Sequence, residues 1–194
     1  NGLAVADVAV TTTDDDASGV IVSPTSGLLT SESGTTVEFT VVLTSQPAAD
    51  VVIALSSSNT AEGVVSPASL TFTAADWSTP QVVRVTGVND FTDDGIGLDG
   101  NKPFVVQTAP AVSADPVYNG LNPADVSVTN VDDDTAGVSL SPTSGLTTTE
   151  AAGAATFNIV LNSQPLANVT IPLSSSNVAE GTVAPASVTF TTAN

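Results

Sequence analysis

Hydrophobic and polar residues alternate with a period of two along much of the chain. In "TTVEFTVVLT" (residues 35–44), threonine and glutamate occupy one face. The other face carries Val37, Phe39, Val41 and Leu43. This alternation is typical of a half-buried β-strand. Segments rich in Ser, Pro, Asn, Asp and Gly, such as "SPTSG" and "SQPAAD", end the alternating stretches and indicate turns.

The pattern predicts seven strands between residues 17 and 134. They lie near residues 19–23, 35–44, 51–57, 69–73, 79–88, 103–109 and 125–131. Seven short strands separated by turns in a segment of this length indicate an all-β fold, an immunoglobulin-like antiparallel β-sandwich.

The sequence repeats itself at an offset of 118 residues. "GVIVSPTSGL" begins at Gly19 and returns as "GVSLSPTSGL" at Gly137, and "SQPAADVVIALSSSNTAEG" returns as "SQPLANVTIPLSSSNVAEG". More than half of the overlapping positions are identical, without gaps. We therefore divide the chain into the last strand and acidic linker of a preceding repeat (1–16), a complete repeat (17–134) and the first half of the next repeat (135–194). Such tandem repeats are typical of an array, and we expect the half repeat to have an incomplete core.

Acidic residues gather at one end of the predicted sandwich. Successive antiparallel strands place the loops after the first, third and fifth strands, and the exit of the seventh, at the same end. These segments contain Glu32, Glu62, Asp90, Asp93, Asp94, Asp99, Asp132, Asp133 and Asp134. We call this end the acidic pole.

The charge of the chain restricts its function. Twenty acidic residues face two basic ones, for a net charge of −18. The chain is therefore not expected to bind nucleic acid or an anionic membrane surface, and no apolar run is long enough for membrane insertion. Histidine and cysteine are absent, which argues against a zinc site and against a Ser–His–Asp or Cys–His arrangement. We do not expect an enzyme.

Calcium is the cation that best suits many converging carboxylates. Ca²⁺ takes six to eight oxygen ligands in irregular geometry, whereas Mg²⁺ requires a strict octahedron and retains water. The simpler alternative is that the acids are solvated loop residues, and we favour it for Asp93 and Asp50 taken singly. "DFTDDG" at residues 90–95 is close to the opening of an EF-hand loop, but Asn101 stands where that loop needs its last glutamate.

The complete repeat resembles the Calx-β domain. The resemblance rests on Glu32 after the first strand, "SLTF", "VTGVND" leading into an acidic loop, "DGNKPFVV" and the terminal acidic run. It implies Ca²⁺ ligands at Glu32, Glu62, Asp90, Asp99, Asp132, Asp133 and Asp134. The turn pattern adds Asp94. Lys102 stands where the family often has an acid, which leaves the number of ions open.

The family occurs in sodium–calcium exchangers, in an integrin subunit and in large bacterial surface and secreted proteins. The resemblance, together with the near-identical repeats, favours a structural calcium-binding repeat of an extracellular or cell-surface stalk, filament or adhesin. A calcium-sensing regulatory domain and a carbohydrate-binding module are the alternatives. Neighbouring repeats or copies of the same chain are the expected partners, with a receptor engaged through other domains.

Overall fold

The computed structural model describes residues 2–95 and 100–193. Every regular element in these residues is a β-strand, and they contain no helix long and apolar enough to cross a membrane. The strands of the complete repeat are β1 (Val20–Ser23), β2 (Leu28–Ser31), β3 (Thr36–Leu43), β4 (Val51–Ser57), β5 (Gly63–Ser66), β6 (Ser69–Phe72), β7 (Gln81–Gly87), β8 (Lys102–Thr108), β9 (Val112–Ser113) and β10 (Val126–Val131).

These strands form the two sheets of a sandwich. One sheet has the order β1-β3-β7-β5, and the other has the order β2-β10-β8-β4-β6, with β9 also paired to β4. Neighbouring strands are antiparallel except for β2 and β10, which run parallel with Leu28 opposite Val128 and Ser31 opposite Val131. The predicted immunoglobulin-like all-β fold is therefore confirmed.

Alternating side chains from the two sheets fill the space between them. On β3 the predicted inward residues Phe39, Val41 and Leu43 are buried, and β4 contributes Val51 and Ile53 in the same way. Val37, the first of the predicted set, is only partly buried at the edge of this core. At the end opposite the acidic pole, Tyr118 is fully buried, and its hydroxyl donates a hydrogen bond of 2.6 Å to the carbonyl of Ser45.

The structure differs from the predicted strands at two places where the chain changes sheet. The segment predicted as a first strand and turn contains two strands, β1 in one sheet and β2 in the other. Similarly, β5 lies in the sheet of β1, and the chain then crosses to β6, the predicted fourth strand, in the other sheet. Pro24 and Pro67 lie at these crossings, and proline has no N–H to continue a ladder. Gly27 completes the first crossing with φ of 77°, a conformation that suits glycine.

The flanking pieces are less buried than the complete repeat. Residues 2–19 form no strand. Residues 135–193 contain β11 (Val138–Ser141) paired with β12 (Asn158–Leu161), and β13 (Val169–Pro172) paired with β14 (Ser187–Phe190). No described residue of this segment is buried. The division of the chain into repeats stays a prediction from the sequence.

The repeat supplies a matched pair of substitutions that tests this difference in packing. Phe39 is 1% exposed, whereas Phe157, its equivalent at the 118-residue offset, is 36% exposed. We expect Phe39→Ala to destabilise the complete repeat by about 3–5 kcal/mol, since it removes a buried ring and leaves a cavity. Phe157→Ala should cost about 1 kcal/mol or less. Urea unfolding followed by far-UV circular dichroism, which reports on strands in both segments, measures the two effects, and equal losses of stability would contradict the assignment of the core.

Candidate metal centre

The acidic pole is assembled by backbone contacts at the ends of strands. Glu32 directly follows β2, and its N–H donates to the carbonyl of Val131 at the end of β10, at 3.0 Å. Glu62 directly precedes β5, and its carbonyl accepts a hydrogen bond of 3.0 Å from the N–H of Val88, just after β7. Both glutamates are therefore held where the two sheets meet, beside the exit of β10.

Five of the predicted ligands form two overlapping groups of carboxylates. Oxygens of Glu32, Asp90 and Asp134 lie within 4.8 Å of one another. Oxygens of Glu32, Glu62 and Asp94 lie within the same distance of one another. Glu32 belongs to both groups, so it lies at the centre of the cluster.

Burial makes this cluster unfavourable without a positive charge. Glu32 is 2% exposed and Glu62 is 6% exposed. Within the described residues, Glu32 Oε2, Asp94 Oδ2 and Asp134 Oδ2 are buried oxygens without a hydrogen-bond partner. A buried carboxylate oxygen needs a donor or a cation. Because these oxygens come from both groups, the donor set fits a hard cation such as Ca²⁺.

Lys102 is the one basic residue at the acidic pole. Its Nζ lies 3.4 Å from Asp94 Oδ1 and donates to the Asp94 carbonyl at 3.2 Å. The other basic side chain of the protein, Arg84, pairs with Glu38 on the exposed face of the first sheet. A single ammonium therefore faces the whole cluster.

The pKa values of the buried acids respond to this environment. Burial, followed by the charges of Asp132 and Asp90, raises the pKa of Glu32 from 4.5 to about 7, although the N–H of Asp133 opposes the shift. Burial also raises the pKa of Glu62, and a hydrogen bond from Asn130 partly offsets the increase. The pKa of Asp134 is raised as well, first by burial and then by the charges of its acidic neighbours.

The three consecutive aspartates have different roles. Asp132 and Asp134 are half-buried, whereas the side chain of Asp133 is exposed. Asp132 accepts hydrogen bonds from the backbone N–H of Asp94 at 3.2 Å and of Asp134 at 3.0 Å. Asp132 thus ties the loop after β7 to the chain that leaves β10.

A buried amide beneath the carboxylates was not predicted. Asn130 is 1% exposed, and its Nδ2 donates to the Val88 carbonyl at 2.9 Å and to Glu62 Oε2 at 3.4 Å. Its Oδ1 accepts a hydrogen bond of 3.0 Å from Thr30 Oγ1. The signal was present in the sequence, since Asn130 continues the inward alternation of Val126 and Val128 on β10.

Two further residues of the acidic loop need separate mention. Asp99, a predicted ligand, lies outside the described residues. Asp93, which we interpreted as a solvated loop residue, is half-buried, and its Oδ2 accepts a hydrogen bond of 2.6 Å from the N–H of Ala136. Asp93 is in neither carboxylate group and contacts the following segment instead.

An immunoglobulin-like sandwich with a buried acidic cluster at one end is the class that this fold and site define. No family model matches the chain, and neither does any curated protein. Among solved structures, the apo form of the Calx CBD1 domain aligns with 15% identity over 59% of this chain and 96% of its own, with a TM-score of 0.42.

Other solved structures have similar scores. WR4, an MSP family member of C. elegans, aligns with 16% identity over 58% of this chain and 96% of its own, at a TM-score of 0.36. The CsuC–CsuE chaperone–tip adhesion subunit complex of Acinetobacter baumannii aligns with 7% identity over 89% of each chain, with a TM-score of 0.42. At these scores and identities, none of the similarities carries information about function.

The raised pKa of Glu32 predicts an unusual pH dependence in the presence of EDTA. The folded chain keeps a proton on Glu32 up to about pH 7, whereas the unfolded chain loses it near the ordinary value of 4.5. The free energy of unfolding should therefore fall as the pH rises from about 5 to 8. Glu32→Gln should remove much of this fall and stabilise the metal-free protein at pH 8 by roughly 1–3 kcal/mol.

Thermal unfolding between pH 5 and pH 8 in EDTA measures this effect. Glu150→Gln is the matched control, because Glu150 is equivalent to Glu32 in the repeat but is exposed. If the two variants show the same pH profile, the burial of Glu32 does not have the assigned energetic effect.

Proposed function

We propose that the chain is a calcium-binding structural repeat, with Ca²⁺ held at the acidic pole beside the joint to the next repeat. The observation that carries the proposal is the buried carboxylate of Glu32, which is shared by two groups of acids and has an unpartnered oxygen. A cation there supplies the positive charge that the surrounding carboxylates lack. Glu32, Glu62, Asp90, Asp94 and Asp134 would hold it, and Asp132 keeps the adjoining segments in place.

The donor chemistry supports calcium over other metals. All of the grouped side chains are carboxylates, and histidine and cysteine are absent from the sequence. Ca²⁺ accepts six to eight oxygens and adapts to irregular arrangements, whereas Mg²⁺ retains several waters. Lys102 supplies one positive charge beside Asp94. The carboxylate group that contains Asp94 therefore needs less positive charge from metal ions than the group that contains Asp134.

A structural role suits the position of the cluster in the chain. Only residues 135–137 separate the acidic tail from β11, so the pole lies next to the joint between repeats. We propose that Ca²⁺ restricts motion at this joint in an extracellular or cell-surface stalk, filament or adhesin without catalytic activity. Of the alternatives, a sensor is less favoured by the near-identical repeats, and a carbohydrate module by the presence of one tryptophan and one tyrosine.

Calcium should stabilise the protein in a manner that depends on individual aspartates. A ligand that binds only the folded state stabilises it by about 2.7 kcal/mol at a hundredfold excess over Kd. We expect the melting temperature to rise in millimolar Ca²⁺ and to fall in EDTA. Asp134→Asn should reduce this rise, since an oxygen of Asp134 lies in the first carboxylate group. Asp133→Asn should leave the rise largely intact, because the Asp133 side chain is exposed.

Differential scanning calorimetry with Ca²⁺, Mg²⁺ and EDTA makes this comparison. Melting curves that coincide in Ca²⁺ and EDTA would reject calcium binding. Equal effects of the Asp133 and Asp134 substitutions would reject the assigned ligands.

Calcium should also extend the chain by restricting the joint. The two segments are connected near the carboxylate cluster by a short linker, and loss of the cation, through EDTA or through removal of its ligands, leaves that linker free to bend. We expect the maximum dimension in small-angle scattering to be larger in Ca²⁺ than in EDTA. The triple variant Asp132→Asn, Asp133→Asn, Asp134→Asn should have the smaller dimension in both conditions. A dimension of the wild type that does not change with calcium would make the acidic tail a solvated linker.

A further inference from the structure

Residues 90–94, which we call the pole segment, face two different parts of the protein. Asp90 belongs to one carboxylate group and Asp94 to the other. Between them, Phe91 and Asp93 contact residues that follow the complete repeat. A single short stretch of backbone therefore connects the candidate metal centre with the next repeat.

The contacts with the next repeat are made by two acceptors of the pole segment. The carbonyl of Phe91 accepts a hydrogen bond from the backbone N–H of Gln164 at 2.6 Å. The carboxylate of Asp93 accepts one from Ala136 at 2.6 Å through Oδ2, while its Oδ1 accepts one from Gly95 at 3.1 Å. Both donors are backbone groups, so the contacts do not depend on the identity of side chains in the partner.

Phe91 is also among the residues that line a cavity at the contact with the next repeat. The other residues that line this cavity, of about 540 Å³, belong to the next repeat and include Leu161, Pro165 and Phe190. The ring itself is 68% exposed, so the two hydrogen bonds define the contact better than the ring does. Gln164 and Pro165 belong to the "SQP" turn between β12 and β13.

We propose that the pole segment is a calcium-controlled latch whose partner is the "SQP" turn and linker of the following repeat; this inference rests on the proposed calcium binding. When a cation draws Asp90 and Asp94 together with Glu32, the backbone between them is fixed, and the Phe91 carbonyl and Asp93 carboxylate are presented to Gln164 and Ala136. Without the cation, repulsion among the carboxylates frees the segment, and the latch opens.

The repeat extends this inference to the other end of the molecule. At the 118-residue offset, Ser18 and Gln46 are equivalent to Ala136 and Gln164, and the complete repeat keeps the "SQP" turn. The complete repeat therefore offers the same two backbone donors to the pole segment of a preceding repeat. The latch is a head-to-tail contact that each repeat of an array can both make and receive.

Proline substitutions remove the donor while leaving every carboxylate in place. Gln164→Pro deletes the N–H that binds the Phe91 carbonyl. Gln46→Pro is its control, because the complete repeat has the same turn and the same side-chain hydrogen bond, from Gln46 Nε2 to Ala74 and from Gln164 Nε2 to Thr192. Asp93→Ala removes the second acceptor, with Asp50→Ala, an exposed acid at the opposite end, as the matched loss of charge.

Distances between two spin labels report on the latch. The sequence has no cysteine, so Thr71→Cys and Val178→Cys, both at exposed positions on either side of the joint, place the labels in the full chain. In Ca²⁺ we expect a narrow distribution for the wild type, Gln46→Pro and Asp50→Ala. Gln164→Pro and Asp93→Ala should be as broad in Ca²⁺ as the wild type is in EDTA, while Gln164→Pro keeps the calcium-induced rise in melting temperature.

The outcomes separate the latch from calcium binding itself. No calcium-induced rise in melting temperature in the wild type would overturn the proposed function and the latch with it. A normal rise with a narrow distribution in Gln164→Pro and Asp93→Ala would overturn the latch alone. Equal broadening by Gln164→Pro and Gln46→Pro would also overturn it, since the turn and not the contact would then be responsible.

Discussion

The burial of the Glu32 carboxylate is the constraint on which the acidic pole depends. A nearly inaccessible carboxylate, surrounded by other acids, is costly unless it is protonated or neutralised by a cation. Without a cation, this cost raises the pKa of Glu32, so that the carboxyl group is protonated more readily. A bound cation relieves the same cost, so protonation and metal binding are alternative ways of stabilising one arrangement.

Glu32 reaches this position because the first strand changes sheets. β1 pairs with β3, but after Pro24 the chain crosses over and β2 runs parallel to β10. This pairing places the residue after β2 beside the residues after β10, so that Glu32 meets the acidic tail. The crossing therefore contributes to the candidate metal centre as well as to the sandwich.

The centre is a property of the closed sandwich and not of a local motif. Glu150 and Glu180 repeat Glu32 and Glu62 at the 118-residue offset, yet both are exposed. The described residues 135–193 form two separate pairs of strands, whereas the sandwich of the complete repeat also contains β7, β8 and β10. Those strands supply the inner support of the complete repeat, including Asn130. The same glutamates are thus buried only where the opposing strands bring desolvation and further acids.

Much of this arrangement follows from the sequence alone. Alternation at period two predicted most of the strands and inward residues of the complete repeat, since each strand needs one buried face, but it did not predict β2 or β5. The antiparallel order then placed Glu32, Glu62 and the loop acids at one end. Only the tertiary structure decided which carboxylates group together, which bind other segments and which face solvent. Asp93 contacts Ala136 and Asp133 faces solvent, whereas Glu32 joins two groups above the buried Asn130. Sequence spacing assigns a residue to a loop, but the direction of its side chain depends on the packing of loops that are distant in sequence.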